Sequence, residues 1–248
     1  MKALITGASS GIGKDMAIYL SEKGYDLIIV GRNQERLEEV KNNVKTNTDI
    51  ITMDLSSEEN CFELYNMAKD IDVLINNAGF GTFGEFIETK METELNMIKT
   101  NVNAVHILTK LYLKDMVEKD KGYILNVSSI AAFLPGPLMA TYYSTKAYVL
   151  RLTQGIQEEL KKRKSNVKVS LLCPGPTETE FLKRAGVMFS TKSTPCRYVA
   201  EYAIDQMLKG KKIIVPTIKI KCAKFLCKIV PDVLLSKFAY GVQQKREN

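Results

Sequence analysis

The sequence predicts a doubly wound α/β fold of the Rossmann type, with a parallel sheet of about seven strands and helices on both faces. Three observations predict it. Short runs rich in Val, Ile and Leu recur along the chain, segments of helical spacing separate them, and the first run opens directly into a glycine-rich turn. Strands buried on both faces read as near-continuous apolar runs. Parallel strands also need helical crossovers, which makes the alternation a series of right-handed βαβ units.

In chain order the expected strands are KALIT (2–6), DLIIV (26–30), DIITM (49–53), DVLI (72–75), YILNV (123–127), VKVSLL (167–172) and KIIVP (212–216). Helical patterns lie between them at 12–23, 33–46, 57–69, around 89–118, 140–163 and 197–209. No repeat, low-complexity linker or domain boundary interrupts this order. We expect a dinucleotide-binding catalytic domain over 1–216, with 217–248 as a basic and apolar helical extension of the same domain.

Bulk properties narrow the chemistry. With 248 residues, 45% hydrophobic and 25% charged, the chain can bury a real core. No apolar run reaches the roughly 18–20 residues that span a bilayer. The start, MKALITGASSGIG, reads as a strand entering a turn and not as a signal peptide. Five scattered cysteines, Cys61, Cys173, Cys196, Cys222 and Cys227, fit idle thiols in a reducing cytoplasm. Their spacing offers no metal site. His106 is the single histidine, which argues against a serine-hydrolase triad or a multi-histidine centre.

The net charge of +7 is uneven: from Lys209 onward, ten basic residues face only Asp232 and Glu247. Nucleic acid, anionic membrane or an acidic substrate would each suit such a tail.

The turn TGASSGIG at 6–13 is the first functional signal. Gly7, Gly11 and Gly13 leave room for a tight turn and for close approach of a pyrophosphate. Ser9, Ser10 and Ile12 complete the loop, and the next helix offers free N–H groups and the positive end of its dipole. After the second strand, neither Gly31, Arg32 nor Asn33 is acidic, and a guanidinium suits a ribose 2′-phosphate. NADP(H) is therefore expected over NAD(H). Asp54, followed by Leu55, is placed to accept from an adenine amino group or to serve as a helix N-cap or turn residue.

The stretch TYYSTKAYVL at 141–150 places Tyr142 and Lys146 four apart, hence on one helix face, with Tyr143 pointing elsewhere. TGASSGIG at 6–13, NNAG at 76–79, Asn101, Ser129, Tyr142 with Lys146 and PG at 174–175 follow one another in the order of the short-chain dehydrogenase/reductase family. Over about residues 1–215 the chain resembles the single-domain branch of that family. Ser129 stands thirteen positions ahead of Tyr142, the spacing the family uses.

The resemblance implies a catalytic set of Asn101, Ser129, Tyr142 and Lys146. Tyr142 would be the general acid/base, its phenol made acidic by the nearby ammonium together with the cationic nicotinamide of the oxidised cofactor. Ser129 would bind the substrate oxygen, Lys146 the nicotinamide ribose, and Asn101 a water joining the lysine to solvent. Asn77, Ala78 and Gly79 would wall the adenosine ribose. Pro174, Gly175, Thr177 and Thr179 would lie beside the nicotinamide. Tyr143 would tolerate phenylalanine.

The substrate loop is expected at about 180–195, with Phe133, Leu134 and Leu138 as the facing wall of an apolar pocket. The expected partner is a small carbonyl or alcohol, not nucleic acid, and the family implies a homodimer or homotetramer. An oxidoreductase is favoured over a non-catalytic NADP(H)-binding redox sensor, because a sensor has no need of the proton donor. For the tail two readings stand: a helix packed over the pocket or a partner subunit, or an amphipathic segment on anionic lipid.

Overall fold

A computed structural model of the protein describes residues 1–178, 193–227 and 229–244. The strands are β1 (Lys2–Thr6), β2 (Asp26–Gly31), β3 (Thr48–Thr52), β4 (Val73–Asn76), β5 (Tyr123–Val127), β6 (Lys168–Leu172) and β7 (Ile213–Ile214). All pair in parallel, in the order β3-β2-β1-β4-β5-β6-β7. The chain winds outward from β1 in one direction, returns at β4 and winds outward in the other. That reversal opens a crevice at the carboxyl ends of β1 and β4, where ligands bind in open α/β sheets.

Side chains of consecutive strand residues enter opposite layers, as the two-residue period requires. Ala3, Ile5, Leu27, Ile29, Val73 and Ile75 pack beneath α1 (Gly11–Glu22), α2 (Gln34–Lys41) and α7 (Cys196–Leu208). Leu4, Ile28, Val30, Leu74 and Ile124 face α3 (Glu58–Met67), α5 (Ala104–Glu118) and α6 (Ala140–Lys162). Both faces are dry, which is why the strands carry apolar runs instead of alternation.

The expected helix around 89–118 is interrupted. It consists of α4 (Met91–Ile98), a π turn at Lys99–Asn103 and α5. Such one-turn bulges occur frequently at functional sites, and this one contains Asn101. Strand β7 is only two residues long, shorter than expected. Beyond it lie α8 (Ile218–Leu226) and α9 (Asp232–Gln244), the C-terminal extension. No helix among the described residues is long and apolar enough to cross a membrane.

Candidate active site

Backbone geometry shapes the near end of the crevice. Gly7 has φ +65°, and a Cβ there would stand 2.8 Å from the Ala78 Cα. Gly11 also has positive φ, +57°. The Thr6 hydroxyl donates to the Ile75 carbonyl at 3.2 Å and accepts from the N–H groups of Asn77 (3.0 Å) and Ala78 (3.1 Å). Asn77 Nδ2 donates to the carbonyls of Thr6 and Gly7, both at 3.1 Å. The loops after β1 and β4 are thereby laced together. Gly13 does not line the crevice; its bare Cα faces the Gly7 carbonyl and the Asn77 amide, letting α1 approach.

The Ser10 side chain makes no cap bond to α1, and no acidic residue occupies its first turn. The orphan N–H groups and dipole end of α1 are left to an anion. With Ser9, Ser10, Gly11 and Ile12 lining the crevice there, the turn fits a diphosphate.

At the end of β2, Arg32 Nη1 lies 3.8 Å from Asp54 Oδ2, each side chain about half exposed. Both line the crevice beside Val30, Gly31, Met53 and Leu55. Asn33, expected as a cofactor contact, lies outside that lining and caps α2 by accepting from the Arg36 N–H at 2.8 Å. Asp54 Oδ1 accepts from the Ser56 N–H at 3.0 Å, the turn role the sequence allowed for.

The far end gathers Ser129, Tyr142 and Lys146 on the lining. Ser129 follows β5 and N-caps a short 3-10 turn at Ile130–Phe133; its hydroxyl also bonds the Tyr142 phenol. Lys146 Nζ donates to the Val127 carbonyl at 3.1 Å and lies 5.8 Å from the centre of the Tyr142 ring. The i, i+4 spacing on α6 does bring both heads into one cleft.

Their electrostatics depart from the expectation of an acidified phenol. Protein atoms crowd the Tyr142 hydroxyl, and that burial pushes its pKa up; the Ser129 hydrogen bond lowers it but is outweighed. Burial acts oppositely on the ammonium and lowers the Lys146 pKa to about 8. The protein's own groups therefore hold the phenol protonated at neutral pH.

Asn101 is fully buried. Its Nδ2 donates to the Phe80 carbonyl (2.9 Å) and Thr145 Oγ1 (3.1 Å), and its Oδ1 accepts from the Phe80 N–H (3.0 Å). Both amide hydrogens are thus committed to protein. The side chain ties the π turn to α6 and to the loop after Gly79, and a Cβ on Gly79 would meet Asn101 Oδ1 at 2.9 Å.

Pro174, Gly175 and Thr177 close the far side, where the Pro174 carbonyl accepts from the Ile130 N–H at 2.9 Å and Thr177 Oγ1 donates to the Gly175 carbonyl at 3.0 Å. Thr179 and most of the expected substrate loop lie outside the described residues. Phe133, expected as pocket wall, packs instead against the cluster that includes Val149, Leu171 and Cys173, as Ile220 of α8 also does. The wall is made by Ile130, Ala131, Met139 and Tyr143, with Phe80 nearby.

Sequence reasoning missed several supporting groups. Ser128 Oγ donates to the Lys146 carbonyl at 2.9 Å. Behind the site, Asn76 Nδ2 reaches Thr109 Oγ1 (3.0 Å) and Asn126 Oδ1 (2.9 Å), and Asn126 Nδ2 reaches Thr153 Oγ1 (3.0 Å). Polar residues inside apolar strands were the available signal. Tyr143 is also more than a bystander, because its hydroxyl accepts from Gln243 Nε2 of α9 at 2.7 Å.

A family model described as short chain dehydrogenase matches residues 1–188. The chain is 35% identical over 173 residues to the very-long-chain 3-oxoacyl-CoA reductase of Rattus norvegicus, spanning 65% of this chain and 55% of that one. A solved short-chain dehydrogenase from Sphingobium yanoikuyae in complex with NADPH superposes with a TM-score of 0.82 at 26% identity, over 93% of this chain and 96% of that one. Another, from Burkholderia phymatum in complex with NAD, gives 0.82 at 21% identity over 91% and 92%, a likeness of fold alone. The match to residues 1–188 takes in every strand from β1 to β6 and the crevice between them, and it makes the chain a member of the short-chain dehydrogenase family of oxidoreductases.

Proposed function

We propose that the protein transfers a hydride between NADP(H) and a carbonyl or secondary alcohol, with Tyr142 as the acid/base and an apolar, lipid- or steroid-like substrate. The observation that carries this reading is the meeting of Ser129, Tyr142 and Lys146 at one end of a crevice whose other end is the glycine turn. A bound nicotinamide supplies or accepts the hydride.

The chain's own residues do the rest. The turn at Gly7–Gly11 and the first N–H groups of α1 hold the diphosphate, while Ala78 and Gly79 flank the adenosine half. Arg32 takes the 2′-phosphate. Its present contact with Asp54 is an exposed pair worth about 0–1 kcal/mol, readily exchanged for a bidentate phosphate. Pro174, Gly175, Thr177 and Thr179 flank the nicotinamide half.

Tyr142 enters a reduction as the acid, since burial keeps its phenol protonated. The Ser129 hydroxyl, already bonded to that phenol, is a second donor to the same substrate oxygen. As the proton leaves, Lys146 stabilises the phenolate. Its own pKa of about 8 still leaves most of the ammonium charged at neutral pH. Asn101, through Thr145 and Phe80, fixes the turn of α6 that carries both residues. The apolar wall of Ile130, Ala131 and Met139 supports a hydrophobic substrate, as does likeness to a very-long-chain 3-oxoacyl-CoA reductase.

The test is Tyr142→Phe, assayed by NADPH oxidation with apolar ketones and by NADPH titration. Turnover should fall by about 10²–10⁴-fold with NADPH affinity little changed. A near-normal rate would remove Tyr142 from the chemistry.

A further inference from the structure

We propose that the C-terminal helices α8 and α9 seat the protein on an anionic lipid surface, by a face separate from the one that packs on the body. On α9, Leu235, Ala239 and Gln243 recur every four residues and are buried. One position earlier, Leu234, Phe238 and Val242 form a second stripe that is 56%, 69% and 37% exposed. Residues one apart on a helix differ by about 100° in direction, so this stripe looks away from the contact that holds the helix.

Helix α8 buries no residue fully. Ile220 packs toward Gly175 and Lys224 stands over the Phe133 ring, 5.3 Å from its centre. Phe225 and Leu226 are 62% and 56% exposed, and Ile229 in the following turn is 64% exposed. Single exposed apolar side chains are ordinary, but large ones recurring along two consecutive helices mark an interaction site.

Charge selects the occupant. Lys219, Lys221 and Lys237 are exposed among these apolar residues, and Asp232 is the only acid within the two helices. A second copy docked face to face would set these lysines against themselves, since a two-fold contact matches a patch with itself. A nucleic acid would use the lysines and leave the phenylalanines and leucines in water. An anionic bilayer satisfies both: headgroups take the ammonium ions, and the acyl boundary takes Phe225, Leu226, Leu234 and Phe238. The helices are too short or too polar to cross, so they lie on the surface.

The other exposed apolar cluster has the opposite character. Phe86, Ile87, Met91 and Leu95 stand among exposed Glu85, Glu88 and Glu92, which Lys90 and Lys99 offset only in part, so the cluster carries no basic excess to draw an anionic surface. That cluster provides the internal control.

The experiment uses the whole chain and sediments it with vesicles of phosphatidylcholine alone or mixed with phosphatidylglycerol. Light scattering reports the oligomeric state, and circular dichroism the fold. We expect pelleting with the mixed vesicles at low salt, weakened about tenfold or more by high salt or by Lys219→Glu with Lys237→Glu. Phe225→Glu with Phe238→Glu should abolish it, and Ile87→Glu should leave it unchanged. Both lysines of the pair are exposed, and that variant serves as the second route should the phenylalanine variant not fold. Absence of pelleting, equal pelleting on both vesicle types, or equal loss in Ile87→Glu would overturn the proposal. So would a smaller oligomer in the tail variants of a wild type that does not pellet, which would make the face a contact between copies. NADPH turnover of a soluble ketone is followed separately, so the fate of the reductase reading does not bear on this result.

Discussion

The β1–α1 turn and the C-terminal extension close on the same crevice by different means. At the turn, main chain meets main chain: a Cβ on Gly7 would run into the Ala78 Cα, and Gly13 faces the Gly7 carbonyl. At the far end, side chains make the fit. A Cβ on Gly175 would meet only the Ile220 side chain of α8, its Cδ1 at 2.5 Å and its Cγ1 at 2.7 Å, and α9 is tied in through the Gln243–Tyr143 bond. Main-chain contacts cannot yield without moving whole elements, whereas side-chain tips can repack. On the proposed function, the difference would let one scaffold keep a fixed nucleotide end and a substrate end open to change.

The severest way to break this comparison is Gly13→Val. Overpacking costs about 1–3 kcal/mol, occasionally more, and here the obstacles are a carbonyl and an amide already engaged with it. At roughly 2–4 °C per kcal/mol for a chain of this size, we expect Tm to drop by about 10 °C and NADPH binding to be lost. A calorimetric scan and a fluorescence titration read both. A variant of normal Tm that binds NADPH would show that the turn is as adaptable as the far end.

The rigid end was also the legible one. TGASSGIG and its strand state the shape of the turn within eight residues, because φ and the absence of Cβ are local properties. The seven strands were legible for a similar reason: burial on both faces writes itself as consecutive apolar residues, although β7 shrank to Ile213–Ile214. The pairing of Tyr142 with Lys146 followed from helix period alone.

What escaped depends on partners distant in the chain. Asn101 forms its bonds with Phe80 and Thr145, 21 and 44 residues away, and nothing local announces the π turn that allows them. Phe133 was expected at the substrate wall, but whether it faces the pocket or the core depends on where Ile220 arrives. The upward shift that the protein's own groups give Tyr142 was not legible, because i, i+4 spacing shows the nearby lysine but not the burial that dominates over the Ser129 hydrogen bond.

A second test stays at the nucleotide end but on its exposed rim. Arg32→Asp replaces the expected phosphate ligand with a carboxylate beside Asp54. Loss of a hydrogen bond to a charged group costs about 1.5–3 kcal/mol, so NADPH affinity should fall roughly ten- to hundredfold. NADH affinity should hold or rise, and Tm should stay within a degree or two of wild type. Comparing Kd for the two cofactors decides it; an unchanged ratio would take Arg32 out of the phosphate site.

The mildest test falls on the adaptable end. The hydroxyl of Tyr143 joins α6 to α9, so the expected tolerance of phenylalanine is incomplete. Removing a neutral hydrogen bond costs about 1 kcal/mol, or roughly 2–4 °C in Tm. The ring that Gly136 packs against is retained, and the tail need not detach. Because Tyr143 lines the crevice near Tyr142, with ring centres 6.0 Å apart, the kinetic effect should appear in KM for bulky ketones, while kcat and NADPH affinity stay near wild type. Gln243→Leu should reproduce the KM change through a residue that touches no substrate. If Tyr143→Phe raises KM and Gln243→Leu does not, the wall is set by α6 alone and the extension only covers it; if both do, the C-terminal helices help define which substrate fits.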